Sequence, residues 1–425
     1  MTMYGLIYPT LDPENWPFSL EWLPRPAYIV GGAVRDALLG RTRDYLDLDF
    51  IIPSGAVAVA EAIALHYHAG FVVLDAQRQI ARVVFPQATA DFAQQEGGSL
   101  ETDLHRRDFT INAIAYNPHT QEIIDPLQGR ADLEQGRLRM VSPANLKDDP
   151  LRLMRAYRQA AQLDFTIESD TEKTIQTLAS YISEVAAERV RVEINYLLAN
   201  SQGTFWLIKA AENGLLAPFC KNATPQSWKK LVKVDTVAAL IAQNWPQLSG
   251  ELQQSVRDTV KTTWLGIAKL ACLVHPEPEF AKIELQALTY SQAEIKAVTT
   301  ALRLLPQLKS ASMSVREQYS FFQEAGNVFA ATIILALIDN NLVSAIPGDQ
   351  SLQVYAPLIN RHLNPNDLVA HPTKIVSGNE LIIALNIAPS PKLGELLTEI
   401  AVAQAEGKIS TPEQAIALAR SLLVD

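Results

Sequence analysis

Short β-branched runs punctuated by Gly and Pro fill the N-terminal third of the chain. They predict strands at Tyr28–Val30, Leu48–Ile52, Phe71–Leu74 and Ala81–Phe85. Between the second and third of these, Ala56–Ala69 repeats apolar residues at helical spacing. Ala113–Ile124 has two apolar arms around Asn117-Pro118-His119-Thr120, the signature of a hairpin. From Asp149 onward the periods become helical, and the stretch 203–345 is interrupted at Pro218, Pro225, Pro246, Pro276 and Pro306. The polar, Pro-containing segment Asn360–Lys374 predicts a linker, and the residues after it a compact helical module. The expected architecture is an α/β head over 24–145, a small mixed sheet with helices. An all-α neck (146–200), body (201–359) and tail (375–425) follow it.

Composition narrows the function. Of 425 residues, 48 % are hydrophobic and 19 % charged, enough to bury sizeable cores. Lys plus Arg number 36 against 46 Asp plus Glu, a net charge of −10, which excludes a protein that coats nucleic acid through bulk charge. A local basic groove stays open, because phosphate contacts need only a few placed cations. Cys220 and Cys272 alone make neither a disulfide framework nor a thiolate zinc site. The N-terminal residues carry no secretory pattern, and the apolar run Val328–Ile338 is short of the ~20 residues a spanning helix needs. A soluble, cytoplasmic chain without a membrane partner is expected.

Four segments carry candidate chemistry. In Tyr28–Gly40 an apolar strand meets Gly31-Gly32 and then a helix containing Arg35. Two glycines let backbone N–H groups approach an anion at a helix N-terminus, and Arg35 adds a guanidinium. In Tyr45–Ile52, alternation puts Asp47 and Asp49 on one strand face, a pair of oxygen donors suited to Mg²⁺ shared with substrate phosphates. A phosphate turn upstream of paired carboxylates is the parts list for two-metal phosphoryl or nucleotidyl transfer. A third acid is then expected on a neighbouring strand, with Asp91 the candidate. The cluster Asp103–Ala113 adds Arg106, Arg107, Asp108 and a Thr-x-Asn helical start ending at Asn112. Guanidinium there suits a triphosphate and carboxylate a ribose hydroxyl. In Asp148–Arg158, Asp149 and Arg152 are expected to share a helix face and offer an acceptor and donors to a base edge, with Arg155 and Arg158 further along the helix.

These segments resemble the class II tRNA nucleotidyltransferases (CCA-adding enzymes), with kin among bacterial poly(A) polymerases. GGAVRDALLG with DLDF is similar to the family's motif A, RRDFTINAIA to motif B, IDPLQGRADLEQGRLRMV to motif C and DDPLRLMRAYR to motif D. Glu188–Glu193 resembles motif E, and Val376–Leu418 resembles the family's tail. The resemblance implies a nucleotidyltransferase head in which Asp47 and Asp49 hold catalytic Mg²⁺. Nucleotide binding falls to Gly31, Gly32, Arg35, Arg107, Asp108, Asn112, Asp149, Arg152, Arg155 and Arg158. It also implies attack of the tRNA 3′-hydroxyl on the α-phosphate of CTP or ATP, with release of pyrophosphate.

The chain departs from the family pattern in three places. Asp148 stands where Glu is usual, the spacer Arg41–Leu46 is longer, and only FAQQEGGSLET separates Asp91 from Asp103. Full CCA-adding relatives carry a longer flexible loop at that last place, and relatives without it add CC alone, so a CC-adding specialist is expected. A poly(A) polymerase and a non-catalytic tRNA-binding module are the alternatives. Lys221, Lys229, Lys230 and Lys233 offer either a track for the tRNA backbone or a solvated helix face. Trp206 and Trp228 are expected as core anchors, and the seven histidines form no HD or HExxH site.

Overall fold

A computed structural model describes residues 8–42, 45–199, 201–257, 260–309, 313–339 and 354–424. Arg43 and Asp44 of the long spacer lie outside them, as do 340–353 of the expected body. The chain forms two compact units, Met1–Val190 with Lys209–Leu215, and Arg191–Ile208 with Leu216–Asp425.

The first unit is built on a seven-stranded mixed sheet. Its strands are β1 (Tyr28–Val30), β2 (Leu46–Ile52), β3 (Gly70–Asp75), β4 (Ile80–Phe85), β5 (Ala88–Gln94), β6 (Ala115–Asn117) and β7 (Glu122–Ile124), in the order β3-β4-β5-β2-β1-β6-β7. β2 and β5 run parallel, and every other neighbouring pair is antiparallel. Alternation along β2 buries Leu48, Phe50 and Ile52 on one face. There Phe50 stacks on Phe92 at 5.1 Å, with Trp16 and Phe18 edge-on to Phe50. Helix α1 (Gly32–Leu38) follows β1 directly. Helix α2 (Ala56–Tyr67) packs its Ala60, Ile63 and Ala64 side against β4 and β5. Helix α3 (Leu100–His105) places Leu104 in a small core with Val30, Ile51, Ala113 and Ala115 on the other face of the sheet.

Further along, α4 (Gly129–Glu134) and α5 (Pro143–Asp148) lead into α6 (Leu151–Leu163). Leu151, Met154, Ala156, Tyr157, Ala160 and Leu163 bury one stripe of α6, and Arg152, Arg155 and Arg158 line another. The expected acidic helix start is corrected here. Asp148 closes α5, Asp149 is an extended residue between the helices, and Pro150 caps α6.

The second unit is almost wholly helical. Trp264–Leu273 is buried on all sides, and Val315–Ala325 continues through a turn at Gly326 into the apolar helix Phe329–Asp339. The whole stretch Val315–Asp339 has the length and hydropathy of a membrane span, but 78 % of its most apolar window is buried inside the structure, as a core helix would be. Asn360–Lys374 is not a free linker. Asn360–Leu363 ends the helix Ala356–Leu363, Arg361 pairs with Asp367, and the Asp367 carboxylate accepts from the Val369 and Ala370 N–H groups. His362 stacks on Phe329 at 4.1 Å. The tail helices Gly378–Leu385, Pro391–Ala405 and Pro412–Val424 enclose their own core of Leu381, Leu396, Ile400, Ala415 and Ala419.

Two glycines separate backbone crowding from helix propensity. A Cβ on Gly129 would lie 2.3 Å from the Thr110 carbonyl oxygen, whereas one on Gly250, inside the helix Pro246–Gln253, meets nothing within 4 Å. Gly129→Ala should therefore lose about 1–3 kcal/mol. Gly250→Ala should be neutral or gain up to ~1 kcal/mol. Urea-unfolding midpoints of the two variants check both signs.

Candidate active site

The Asp47–Asp49 pair sits on the open face of the sheet. Asp47 is exposed and Asp49 half-buried, each beside a residue of parallel β5 in the registers Asp47↔Thr89 and Asp49↔Asp91. Thr89 donates its hydroxyl proton to Asp47 Oδ1 at 2.6 Å and so fixes one carboxylate. Burial and the adjacent Asp47 charge raise the Asp49 carboxyl to about 6, with nearby Arg107 opposing them. Two acids this close favour a divalent cation between them. Among the described residues no third His, Cys, Asp or Glu converges on the pair, so further oxygens would have to come from substrate phosphate or water.

The expected third acid stands on the neighbouring strand, engaged by a partner. Asp91 lies beside Asp49, but both its oxygens accept from Arg82, Nε and Nη2 each at 2.7 Å. That bidentate fork engages both carboxylate oxygens.

The glycine turn stands on the other side of the pair. Gly31 adopts φ +73°, and a Cβ there would lie 3.3 Å from Asp49 Oδ2 and 3.4 Å from Arg107 Nη1. Only glycine brings the backbone this close while holding that φ. A small cavity lined by Gly32, Asp36, Arg41, Asp47 and Asp49 opens at the start of α1. Arg35 points inward rather than into that cavity. It donates from Nε to Asp36 Oδ1 and from Nη1 to Asn112 Oδ1, both at 2.8 Å.

Asn112 is a buried junction in a single turn of 3-10 helix, Thr110–Asn112, where a longer helical start was expected. Its amide nitrogen donates to Asp108 Oδ1 at 3.0 Å and to Gln159 Oε1 at 2.9 Å. Asp108 is buried as well. It accepts from the Phe109 N–H and pairs with Arg155 at 3.1 Å, contacts that hold its carboxyl below the usual range despite burial. It is thus a buried structural hub, at the position the sequence offers as a carboxylate for a ribose hydroxyl. Arg107 donates weakly to the Asn112 carbonyl (3.4 Å) and to Asp103 (3.5 Å).

Asp149 and Arg152 are near one another in sequence but held separately. Asp149 Oδ2 accepts from Arg189, and Arg152 Nη1 donates to the carbonyls of Arg106 and Asn145 at 2.9 and 3.0 Å. Arg158 reaches Gln162.

The comparisons agree with this geometry. A family model described as Poly A polymerase head domain matches residues 27–139, and one described as tRNA nucleotidyltransferase domain 2 matches 258–419. A CC-adding tRNA nucleotidyltransferase of Synechocystis sp. is 47 % identical over 411 residues, covering 96 % of each chain. The chain belongs to the tRNA nucleotidyltransferase family. A second CC-adding tRNA nucleotidyltransferase, from Geobacter sulfurreducens, is 30 % identical over 92 % of this chain and 90 % of its own. An A-adding tRNA nucleotidyltransferase from Deinococcus radiodurans is 30 % identical over 92 % and 94 %. The fold is shared with a CCA-adding enzyme solved with ATP (TM-score 0.71, 21 % identity, 94 % of this chain and 91 % of that one). It is shared too with a Thermotoga maritima CCA-adding enzyme solved with tRNA (TM-score 0.68, 21 % identity, 94 % and 91 %).

Within this tRNA nucleotidyltransferase, sequence reasoning missed Thr89, Arg82, Asp36 and Gln159. The alternation of β5 could have flagged Thr89, which stands two residues before Asp91 and so shares its face; nothing local marks the others. The lysine cluster does not present one free face. Lys221 and Lys229 are exposed, while Lys230 and Lys233 are half-buried and Lys230 pairs with Asp339 at 2.8 Å. Trp206 and Trp228 are half-buried, and Trp206 lies edge-on to Phe205.

The raised Asp49 carboxyl has a measurable sign. Between pH 3.8 and about 6 the folded protein binds more protons at this group than the unfolded chain, so its contribution to stability falls as pH rises through that window. Asp49→Asn should melt a few degrees above wild type in EDTA at pH 7.5, and the difference should close toward pH 4. Thermal melts across that range check it, and a variant less stable at neutral pH contradicts the assignment.

Proposed function

We propose that this chain adds the two cytidines of the tRNA CCA end, and only those, by magnesium-dependent transfer of CMP from CTP. The observation that carries the CC-only reading is the connection from β5 to α3. It spans just Gln95–Ser99, with Gly97 and Gly98 both at positive φ, +78° and +80°. Glu96 N–H donates to Asp103 Oδ1, Ser99 Oγ accepts from the Thr102 N–H, and a Cβ on Gly97 would strike Thr102 Cγ2 at 2.3 Å. A short, pinned turn occupies the place where a long flexible loop serves adenosine addition. The 47 % identical relative that is named CC-adding supports the same reading.

In this reaction the triphosphate of CTP lies against Gly31 and Gly32 at the start of α1, with Arg107 alongside. The tRNA 3′-hydroxyl approaches the α-phosphate over the face of β2. Magnesium bound at Asp47 and Asp49 supplies Lewis-acid stabilisation of the phosphoryl charge. Two hard, mutually repelling carboxylates on one strand face, one of them with its carboxyl raised to about 6, are the donor chemistry that fits it. Thr89 keeps Asp47 aimed outward, while the Asn112 junction sets Arg35 and Asp108. Asp149 and Arg152 offer an acceptor and donors to the cytosine edge, as amino acids in place of a template.

Two measurements test the reading. With CTP and ATP both present, tRNA lacking CCA should be extended by two cytidines and stop; a product ending in A overturns the CC-only assignment. Thr89→Val, which removes the hydroxyl holding Asp47, should lower CMP incorporation about 10–100-fold without loss of fold. Incorporation at the wild-type rate would detach Thr89 from the site.

A further inference from the structure

The carboxylate pair is furnished on its second side as well. Cross-strand partners share a sheet face. The registers Asp49↔Asp91, Arg82↔Asp91 and Val72↔Arg82 therefore set Asp49, Asp91, Arg82 and Val72 in one row across β2, β5, β4 and β3. The adjoining row runs Asp47, Thr89, Val84 and Gly70. Past the aspartates this strip is open: Arg82 is 41 % exposed, Val84 40 % and Val72 49 %. Gly70 places no side chain beside Val84, where a Cβ would lie 3.3 Å from the Val84 Cβ. The Asp91 fork engages Nε and Nη2 of Arg82, leaving the Nη1 protons for a further acceptor.

We propose that this strip seats the 3′-terminal nucleotides of the acceptor RNA. Arg82 holds the backbone phosphate nearest the attacking hydroxyl, and Val72 and Val84 lie under sugar and base. The inference rests on the nucleotidyl-transfer reading above and names the subsite of its second substrate. Two polyanions must meet over the same acids, and each needs a cation on the side from which it comes. Arg107 stands on the β1 side, beside Gly31, where the triphosphate lies. Arg82 stands on the opposite side, across β5. Neighbouring strands are roughly 4.8 Å apart, so a guanidinium reaching back to Asp91 lies within about one strand spacing of Asp49. It can join Asp91 to a phosphate without leaving the ion pair. An exposed aliphatic floor next to one cation contacts sugar and base without reading base identity, which suits an acceptor end shared by every substrate.

The test uses the full chain with tRNA lacking CCA. Arg82→Gln should raise the KM for tRNA or lower kcat by about 10–100-fold with the KM for CTP unchanged. It should also reduce the slope of log affinity for tRNA against log salt by about 1. Arg82→Lys should keep the slope and recover part of the rate; it is the salt slope for tRNA, which a residue that merely holds Asp91 would not move, that separates the two roles. Val72→Asp should impair extension. Val73→Asp, one residue along β3 on the opposite face and itself 43 % exposed, should not. An unchanged salt slope, equal effects of the two β3 variants, or a rise confined to the KM for CTP would each overturn the strip. Wild-type protein that incorporates no CMP would overturn the nucleotidyl-transfer reading and the strip together. An active wild type with an unaltered Arg82→Gln variant would overturn the strip alone.

Discussion

Asp47 and Asp49 project the same way from one strand, and the repulsion between them organises everything nearby. Burial and the Asp47 charge together raise the Asp49 carboxyl to about 6, so one of the two keeps its proton well above the usual carboxylate range. Each neighbour answers part of that problem. Thr89 gives Asp47 a hydrogen bond that costs no added charge, and Arg107 partly offsets Asp49 from the glycine side. Arg82 takes Asp91 out of the balance, so that two acids rather than three face outward. The remaining negative charge is what a divalent cation and a phosphate can settle between them. The site is thus poised rather than satisfied, and its polar face stays open because the opposite face of the same strands carries the aromatic core.

A second constraint is the Asn112 amide. Its oxygen accepts from Arg35, and its two N–H bonds point to Asp108 and Gln159. With all three directions used inside a buried network, the side chain has one orientation, and α1 is tied to α6 through it. The helix that begins at the phosphate turn and the helix that carries Arg152 and Arg155 are fixed by the same side chain. On the proposed reading, a nucleotide reaching from one to the other would meet a preset span.

Much of the site was legible because its logic is local. Period-2 alternation placed Asp47 and Asp49 on one face, and the glycine pair before an apolar helix marked the turn whose backbone comes close to Asp49. The mostly helical character of the described residues after Asp149 followed from spacing, whereas the short strands Thr166–Ile167, Ser255–Arg257 and Val260–Thr263 did not. What escaped depends on long-range register. Arg82 and Asp91 become a pair only when β4 turns back at Pro86-Gln87 to lie beside β5, and Asn112 meets Gln159 across 47 residues of chain. Nothing local in the Asp103–Ala113 cluster showed that Asp108 is buried against Arg155. Asn360–Lys374 has the composition of a linker, yet Arg361, Asp367 and His362 spend its polarity on internal bonds. The lysines of the body follow the same rule, since Asp339, far along the chain, decides which way Lys230 points.

The turn between β5 and α3 bears on how such enzymes diverge. Gly98, at its tip, meets nothing within 4 Å, so added chain there would run straight into solvent. Lengthening a loop from five residues to a dozen more raises its closure entropy by only about 1 kcal/mol. Stability therefore sets almost no limit on the length of this connection. Lineages can gain or shed the segment while the sheet, the carboxylates and the Asn112 junction stay as they are, and selection on the product is left to decide which length persists.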